Sequence, residues 1–427
     1  MATSSSSALL RRARHLSTAV ATAAATATAT ATATTTTTTT TNATVSASMT
    51  ISKAKSKLRT EHDTDKALDI YSTVKTNYSA SSPGSTHHAQ QITVRRLAKS
   101  HRFSDIEALI ESHKSDPRIT DEPFLSSLIR SYGIAGMFEH ALNTYNQMEA
   151  LKTSRSTLSF NALLTACVNS KNFDRAPQLF DEMPAKYGFQ PDDYSYGILV
   201  KSFCDAGKPE KAIDSLKEMD KKGIQVSGVT YTSIIHSLYK KGNATEAERI
   251  WDEMVNRGCV VDVAANNVRL MNAVDGDPEN IKTMIEEMSN SGLKPDTISY
   301  NYLMTCYCKK GMMKEAKEVY DKLEEHCCNP NAATFRTLLF YLCKNEQFET
   351  GYKVFKHSVK VNKIPDFNTL KYLVEGLAKK SRTKDAKGMI RTMRKKFPPN
   401  LLVAWSRIEK ELGLASTETE AAKEARA

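Results

Sequence analysis

The first sixty residues, Met1 to Thr60, contain no Asp or Glu. No stretch of the chain approaches the ~18 consecutive apolar residues of a membrane span, so a membrane partner is not expected. Thirteen Pro and 17 Gly are few for 427 residues, which suits a mostly helical chain. Eight Cys are present, yet no C-x2-C pair: Cys306 and Cys308 form C-x-C, and Cys327 and Cys328 are adjacent. A zinc ribbon and a zinc deaminase both need the missing spacing, so structural thiols in a reducing compartment are expected, and no metal or other cofactor. Neither a G-x4-G-K-[ST] loop nor an H-x-E with a following P-C-x2-C occurs. Nucleotide hydrolysis and deamination therefore lack their residues, and no enzyme and no small-molecule substrate are expected.

What the chain has is a period. Met148, Met183, Met219, Met254, Met288 and Leu323 fall 35, 36, 35, 34 and 35 residues apart. The same period carries Tyr145, Phe180, Trp251, Tyr320 and Phe355, the alanines 141, 176, 212, 247 and 316, and the glycines 136, 207, 242 and 311. An internal period of this size signals a solenoid. The unit Thr297 to Asn331 reads as two helices: Ile298, Leu303 and Tyr307 lie before Gly311, and Ala316, Val319, Tyr320 and Leu323 after it at helical spacing. One such hairpin cannot bury its own apolar face, so the units must stack.

Ser-Tyr-Asn early in this unit, Cys-Lys-Lys-Gly at the hinge, Glu-Ala in the second helix and Pro-Asp at the close of the unit before it resemble the pentatricopeptide repeat (PPR) family. The Trp-x2-Leu-Gly opening of the tetratricopeptide repeat is absent. The resemblance implies an all-α, right-handed superhelical solenoid of about ten 35-residue helix-turn-helix repeats that binds RNA in an organelle. It also implies that one base is read per repeat by positions 5 and 35, with position 2 packing beside the base. Carried onto this chain, Asn161 with Asp192 and Asn267 with Asp296 resemble uracil readers, Thr232 with Asp262 a guanine reader, and Asn301 with Asn331 a pyrimidine reader. Leu158, Val229 and Ile298 are apolar at position 2. The other four pairs depart from the pattern: Ser126 with Ser156, Gly197 with Ser227, Arg336 with Asp366, and Lys371 with Leu401. The same Asn and Asp residues also suit helix caps and turns, so a purely structural role stands beside base reading.

Taken in order, residues 1–50 read as a mitochondrial transit peptide with a disordered Ala/Thr-rich segment, from Arg11, Arg12 and Arg14 among Leu, Ser and Thr. Plastid targeting suits the Ser and Thr too. Residues 51–121 hold two degenerate repeats, with Ala67, Leu68, Ile70, Tyr71 and Val74 in one second helix, Ser79 to Thr86 as a longer loop, and Phe103, Ile106, Leu109 and Ile110 in the next. Eight clear repeats fill 122–401: 122–156, 157–192, 193–227, 228–262, 263–296, 297–331, 332–366 and 367–401. Trp405, Ile408 and Leu412 suit a capping helix in 402–427, with a frayed tail from Ala415.

Charge is concentrated near the end. Between Lys353 and Lys396 fourteen Lys or Arg face three acids, an excess equal to the +11 of the whole chain. Lys379, Lys380, Arg382, Lys384, Lys387, Arg391, Arg394, Lys395 and Lys396 are the candidate phosphate contacts. Three readings follow: a structural component of the mitochondrial ribosome touching ribosomal RNA and ribosomal proteins, a free factor for one organelle transcript, or a protein scaffold. Few readable pairs and a basic foot favour the first.

Overall fold

The computed structural model describes residues 50–61, 63–78, 83–397 and 402–414. The expected targeting segment, save Thr50, lies outside the described residues, as do Leu401 and the tail from Ala415. The described residues form twenty-one α-helices and one short 3-10 turn, Pro117–Thr120. The helices are α1 (Ile51–Thr60), α2 (Thr64–Tyr78), α3 (Pro83–Lys99), α4 (Phe103–Glu111), α5 (Glu122–Ile134), α6 (Phe138–Asn146) and α7 (Thr157–Asn169). They continue as α8 (Arg175–Tyr187), α9 (Asp193–Asp205), α10 (Pro209–Lys221), α11 (Gly228–Lys240), α12 (Ala244–Asn256), α13 (Val263–Ala273) and α14 (Pro278–Asn290). The last seven are α15 (Thr297–Lys309), α16 (Met313–Asp321), α17 (Ala332–Lys344), α18 (Phe348–Lys360), α19 (Phe367–Lys379), α20 (Thr383–Lys396) and α21 (Val403–Glu411).

The first twenty pair into ten hairpins, an all-α solenoid. Each odd-numbered (A) helix touches the next A helix, whereas the even-numbered (B) helices touch chiefly the A helices beside them. The A row is thus the more tightly stacked, and it is the row that carries positions 1 to 13 of every repeat. Pro83 begins α3, so the connection expected to run to Thr86 is shorter: Pro is tolerated at the first turn of a helix, where its missing N–H has no partner to lose.

The periodic columns are the core. All five column alanines are fully buried, and the Met/Leu column is 0 to 8% exposed. In several hairpins both helices end on a left-handed residue, for example Gly207 at φ 71° and Gly223 at φ 66°. Where Gly is missing at the hinge, Lys171, Glu346 and Ser381 take the same conformation (φ 61, 54 and 57°). Cys308 and Cys343, of the position-12 column, are buried, and desolvation pushes both thiols up to about 12.

The core divides once. Ala265 belongs to a cluster that begins at Ala54, and Leu270, on the same helix α13, to a second that runs to Leu414. Position 4 of the A helices explains the division: it holds buried Phe160, Tyr196, Tyr231 and Phe335 elsewhere, but Asn266 here. Asn266 turns its amide to the Asp262 carbonyl (3.1 Å) and supplies no apolar bulk between the clusters.

Candidate nucleic-acid interface

Because each A helix starts at the same register, position 5 of every unit falls on one column, and position 35 is the N-cap of the next A helix. Asp192 with Ser195, Asp296 with Ser299, and Asn331 with Thr334 form reciprocal capping boxes at the starts of α9, α15 and α17. Each cap oxygen also reaches back to the previous unit. Asn161 Nδ2 donates to Asp192 Oδ1 at 3.1 Å, Asn267 Nδ2 to Asp296 Oδ1 at 3.1 Å, and Asn301 Nδ2 approaches Asn331 Oδ1 at a long 3.5 Å. The hydroxyl three residues into the next unit closes the clamp. Ser195 lies 2.6 Å from Asn161 Oδ1, Ser299 2.7 Å from Asn267 Oδ1, and Thr334 2.8 Å from Asn301 Oδ1.

Three of the four pairs singled out from the sequence are therefore brought together. The fourth is not. Thr232 Oγ1 donates to the Gly228 carbonyl (2.8 Å), and Asp262 caps α13 through the Ala265 N–H (2.8 Å). Ala265 stands where the other clamps have Ser or Thr, so no hydroxyl ties the pair.

Asn161 and Asn267 are 4 and 6% exposed, so only their edges reach the surface. Burial pushes the Asp192 carboxyl up, but the Ser195 hydroxyl and N–H and the Asn161 amide outweigh it and hold the group below its ordinary value. It stays a carboxylate at neutral pH. Its second oxygen carries no hydrogen bond among the described residues.

Beside this column runs a row of exposed apolar side chains at position 2: Leu158 (39%), Tyr194 (56%), Val229 (71%) and Ile298 (45%). Tyr194 escaped the sequence reading although its column position was the signal. Tyr194, Gly197, Lys201, Val229 and Ser233 line a cavity of about 460 Å³, open where Gly197 omits a position-5 side chain.

The departing pairs differ among themselves. Ser126 is fully buried with its hydroxyl unpartnered among the described residues, and the Ser156 N–H is held by Glu122 Oε1 at 2.7 Å. A Cβ on Gly133 would lie 2.4 Å from Ala166 Cα, so α5 and α7 meet too closely to leave Ser126 a surface. Arg336 is exposed near Asp366, and Lys371 pairs with Glu375 at 3.6 Å.

Six of the nine candidate phosphate contacts lie on α20, in the B row. Several already have protein partners: Lys380 pairs with Glu346 (2.7 Å), Arg382 with Asp385 (2.7 Å) and Glu349 (3.4 Å), and Arg394 with Glu409. Lys396 Nζ donates to Asn362 Oδ1 at 3.3 Å. Lys387 and Arg391 have partners as well. Lys379, Lys384 and Lys395 are exposed and make no ion pair among the described residues. The histidines pack: His326 stacks on Tyr300 (4.4 Å between centroids), and His357 stands edge-on to Phe335 (5.5 Å). Among the described residues no group of His, Cys, Asp and Glu could hold a metal, and no helix is long and apolar enough to cross a membrane.

Models of the PPR repeat family match residues 155–205, 199–240, 227–268 and 295–344, and a PPR repeat model matches 125–152. The chain is 59% identical over 359 residues to the small ribosomal subunit protein mL103 (rPPR7) of Arabidopsis thaliana, covering 84% of this chain and 87% of that protein. It is 56% identical to a mitochondrial pentatricopeptide repeat-containing protein of Arabidopsis thaliana, covering 84% of each. Among solved structures, the pentatricopeptide repeat protein PPR10 from maize aligns with a TM-score of 0.43 and 18% identity, over 81% of this chain and 58% of that one. With more than half of the aligned residues identical to those relatives along most of their length, the chain belongs to the pentatricopeptide repeat family.

Proposed function

We propose that this chain is a non-catalytic RNA-binding protein of plant mitochondria and a component of the mitochondrial ribosome that contacts ribosomal RNA. One observation carries the reading: 59% identity, along 87% of its length, to a protein named as a ribosomal subunit. The A-row column supplies the chemistry. In the Asn161–Asp192 clamp one Nδ2 hydrogen and the second carboxylate oxygen remain uncommitted, a donor beside an acceptor. Uracil offers the complement, O4 beside N3–H, and Asn267–Asp296 repeats the arrangement. Exposed apolar groups at position 2 flank each base, and Lys379, Lys384 and Lys395 in the basic foot meet phosphates.

Read in order, the three pairs that the structure brings together select U-x-x-U-pyrimidine, each wrong base costing about 1–3 kcal/mol. The guanine expected from Thr232 with Asp262 drops out because that pair is not tied, and a window with two blanks cannot single out a transcript, so a larger assembly supplies the rest of the specificity. The 56% identity to a relative not named as ribosomal favours a second reading, a free mitochondrial factor acting on one transcript. Sedimentation of an organelle lysate separates the two. A ribosomal component follows a subunit when magnesium is removed, whereas a free factor stays near the top of the gradient in both conditions.

A further inference from the structure

The two repeats that hold a long cation at position 5, Arg336 and Lys371, each carry an exposed aromatic ring as well. Phe340 is 43% exposed and Tyr372 is 37% exposed. Phe340 follows Arg336 by four residues on α17, and Tyr372 follows Lys371 directly on α19. Residues four apart share a helix face, so Arg336, Phe340 and Lys344 form one stripe, and Lys371, Glu375 and Lys379 the neighbouring one. Tyr372 stands next to Lys371 at the edge of the second stripe, and its ring lies 6.3 Å from that of Phe340 at 65°.

These stripes face the same way as the clamps. Arg336 and Lys371 occupy the column of Asn161, Asn267 and Asn301. Phe340 holds position 9, the position from which Thr165 and Lys201 line the cavity beside Tyr194. Two exposed aromatic rings thus stand among four cations on the row that, earlier in the chain, carries hydrogen-bonding amides. Acids on these helices oppose them only in part: Glu375 pairs with Lys371 at 3.6 Å, and Asp366 lies near Arg336. Arg336 and Lys379 make no ion pair among the described residues.

We propose that α17 and α19 form a sequence-independent grip for single-stranded RNA, in which bases stack on Phe340 and Tyr372 while Arg336, Lys344, Lys371 and Lys379 meet the phosphates. The proposal rests on the reading that RNA lies along the A row. Charge and continuity with the clamp column choose the occupant. An apolar peptide would gain nothing from four cations, and a duplex would offer no base faces to the rings. A long guanidinium or ammonium at position 5 cannot orient on one Watson–Crick edge as a short amide does, but it reaches a phosphate easily. A stacked ring accepts every base, because every base has a π-face. The A row then holds a reading segment, from α7 to the α17 cap, and a gripping segment beyond it.

The test uses the full chain and 19-nucleotide unstructured RNAs with U-A-G-U-C at the centre, measured by fluorescence anisotropy. One RNA carries ordinary flanks, two have an abasic tract on one side or the other, and a fourth has a changed centre. For the wild-type chain, an abasic tract on one side only should weaken binding about tenfold, whatever bases it replaces. The Phe340→Ala/Tyr372→Ala chain should bind the intact RNA about tenfold more weakly and lose all sensitivity to that tract. Both rings are exposed, and an unchanged circular dichroism melt confirms that the variant is folded. Equal binding of intact and abasic RNAs by the wild type, or a variant still sensitive to the tract, overturns the grip. If the changed centre still weakens binding in that case, the clamp reading stands without the grip. Failure of the chain to bind any of the four RNAs overturns both.

Discussion

Asn161 Nδ2 donates to Asp192 Oδ1 at 3.1 Å across 31 positions of sequence, and the same Asp192 oxygen accepts the Ser195 N–H at 2.8 Å. One carboxylate therefore caps a helix and orients the amide of the preceding repeat. Structural cap and base reader are two uses of a single group.

That double use separates two substitutions. Asp192→Ala removes the cap and should lower stability by about 1 kcal/mol, the usual cost of losing an N-cap side chain. Asp192→Asn keeps a capping oxygen, so stability should change by less than about 0.5 kcal/mol. The acceptor beside the Asn161 amide becomes ambivalent, and preference for uracil at that position should fall. Denaturant melts and anisotropy on U- and C-substituted RNAs measure the two effects. Loss of stability and preference together in Asp192→Asn would show that the uses cannot be separated.

The divided core predicts uneven stability. With Asn266 in the aromatic column, α13 joins two clusters that share little apolar surface. Amide exchange should be fastest, among the interior A helices, in α13, since local opening follows low apolar contact. Asn266→Tyr restores the column residue and should slow exchange in α13 and raise stability by about 1–2 kcal/mol, part of a buried aromatic's contribution. Faster exchange in the variant would mean that the site is too small for the ring.

The columns were legible in the sequence because a solenoid repeats its contacts as it repeats its residues. The alanine and methionine columns named from spacing are those found buried. The break at α13 is harder to see because that unit keeps the Met column, although its 34-residue length and the Asn in the Tyr column mark it. Partners that lie in another repeat were invisible to local counting. Glu346 and Glu349, just outside the basic window, engage Lys380 and Arg382, while Glu409 engages Arg394 from the cap. Thr232 and Asp262 looked like a pair by position alone. Whether they bond is decided by residue 265, which is Ala.

Two glycines in A helices mark close approaches rather than turns. A Cβ at Gly133 would stand 2.4 Å from Ala166 Cα, and one at Gly376 would stand 1.9 Å from the Phe348 ring. Gly133→Ala meets backbone and should destabilise by about 1–3 kcal/mol. Gly376→Ala meets a side chain that can turn, so its cost should be smaller. Chemical denaturation of the two variants checks the order.

Acid should loosen the N-terminal repeats through His113. The ring is 5% exposed, shares a 2.8 Å hydrogen bond with Tyr71, and leaves Nδ1 unpartnered among the described residues. Burial first, and then the charge of Lys75, lower its value from 6.5 to about 4. The unfolded chain therefore binds the proton more readily than the folded one between those values. Stability is fully present above pH 6.5 and falls as the pH drops toward 4, by about 2 kcal/mol at pH 5. His113→Gln cannot charge and should flatten the pH dependence of α2–α4 exchange. An unchanged slope in that variant would exonerate the ring.

The basic foot should divide into cations that hold RNA and cations that hold the protein. Lys379, Lys384 and Lys395 are exposed and make no ion pair among the described residues, so each is available to a phosphate. Replacing all three with Ala should weaken binding to every RNA alike and flatten the salt slope by roughly 0.7 per lost contact on single strands. Melting should hardly move, because exposed lysines contribute little to stability. Arg394 should behave in the opposite way. Its guanidinium pairs with Glu409, whose side chain is only 13% exposed and sits on α21, the helix that covers the last repeat through Trp405 and Ile408. Arg394→Ala strands that carboxylate beneath the surface and should cost about 1–3 kcal/mol, the penalty of an unsatisfied charged partner. Its effect on the salt slope should be small. Glu409→Gln in the same background should recover much of the lost stability without touching RNA affinity. If Arg394→Ala alone flattens the slope and leaves the melt unchanged, the ion pair is dispensable and Arg394 joins the RNA-facing set.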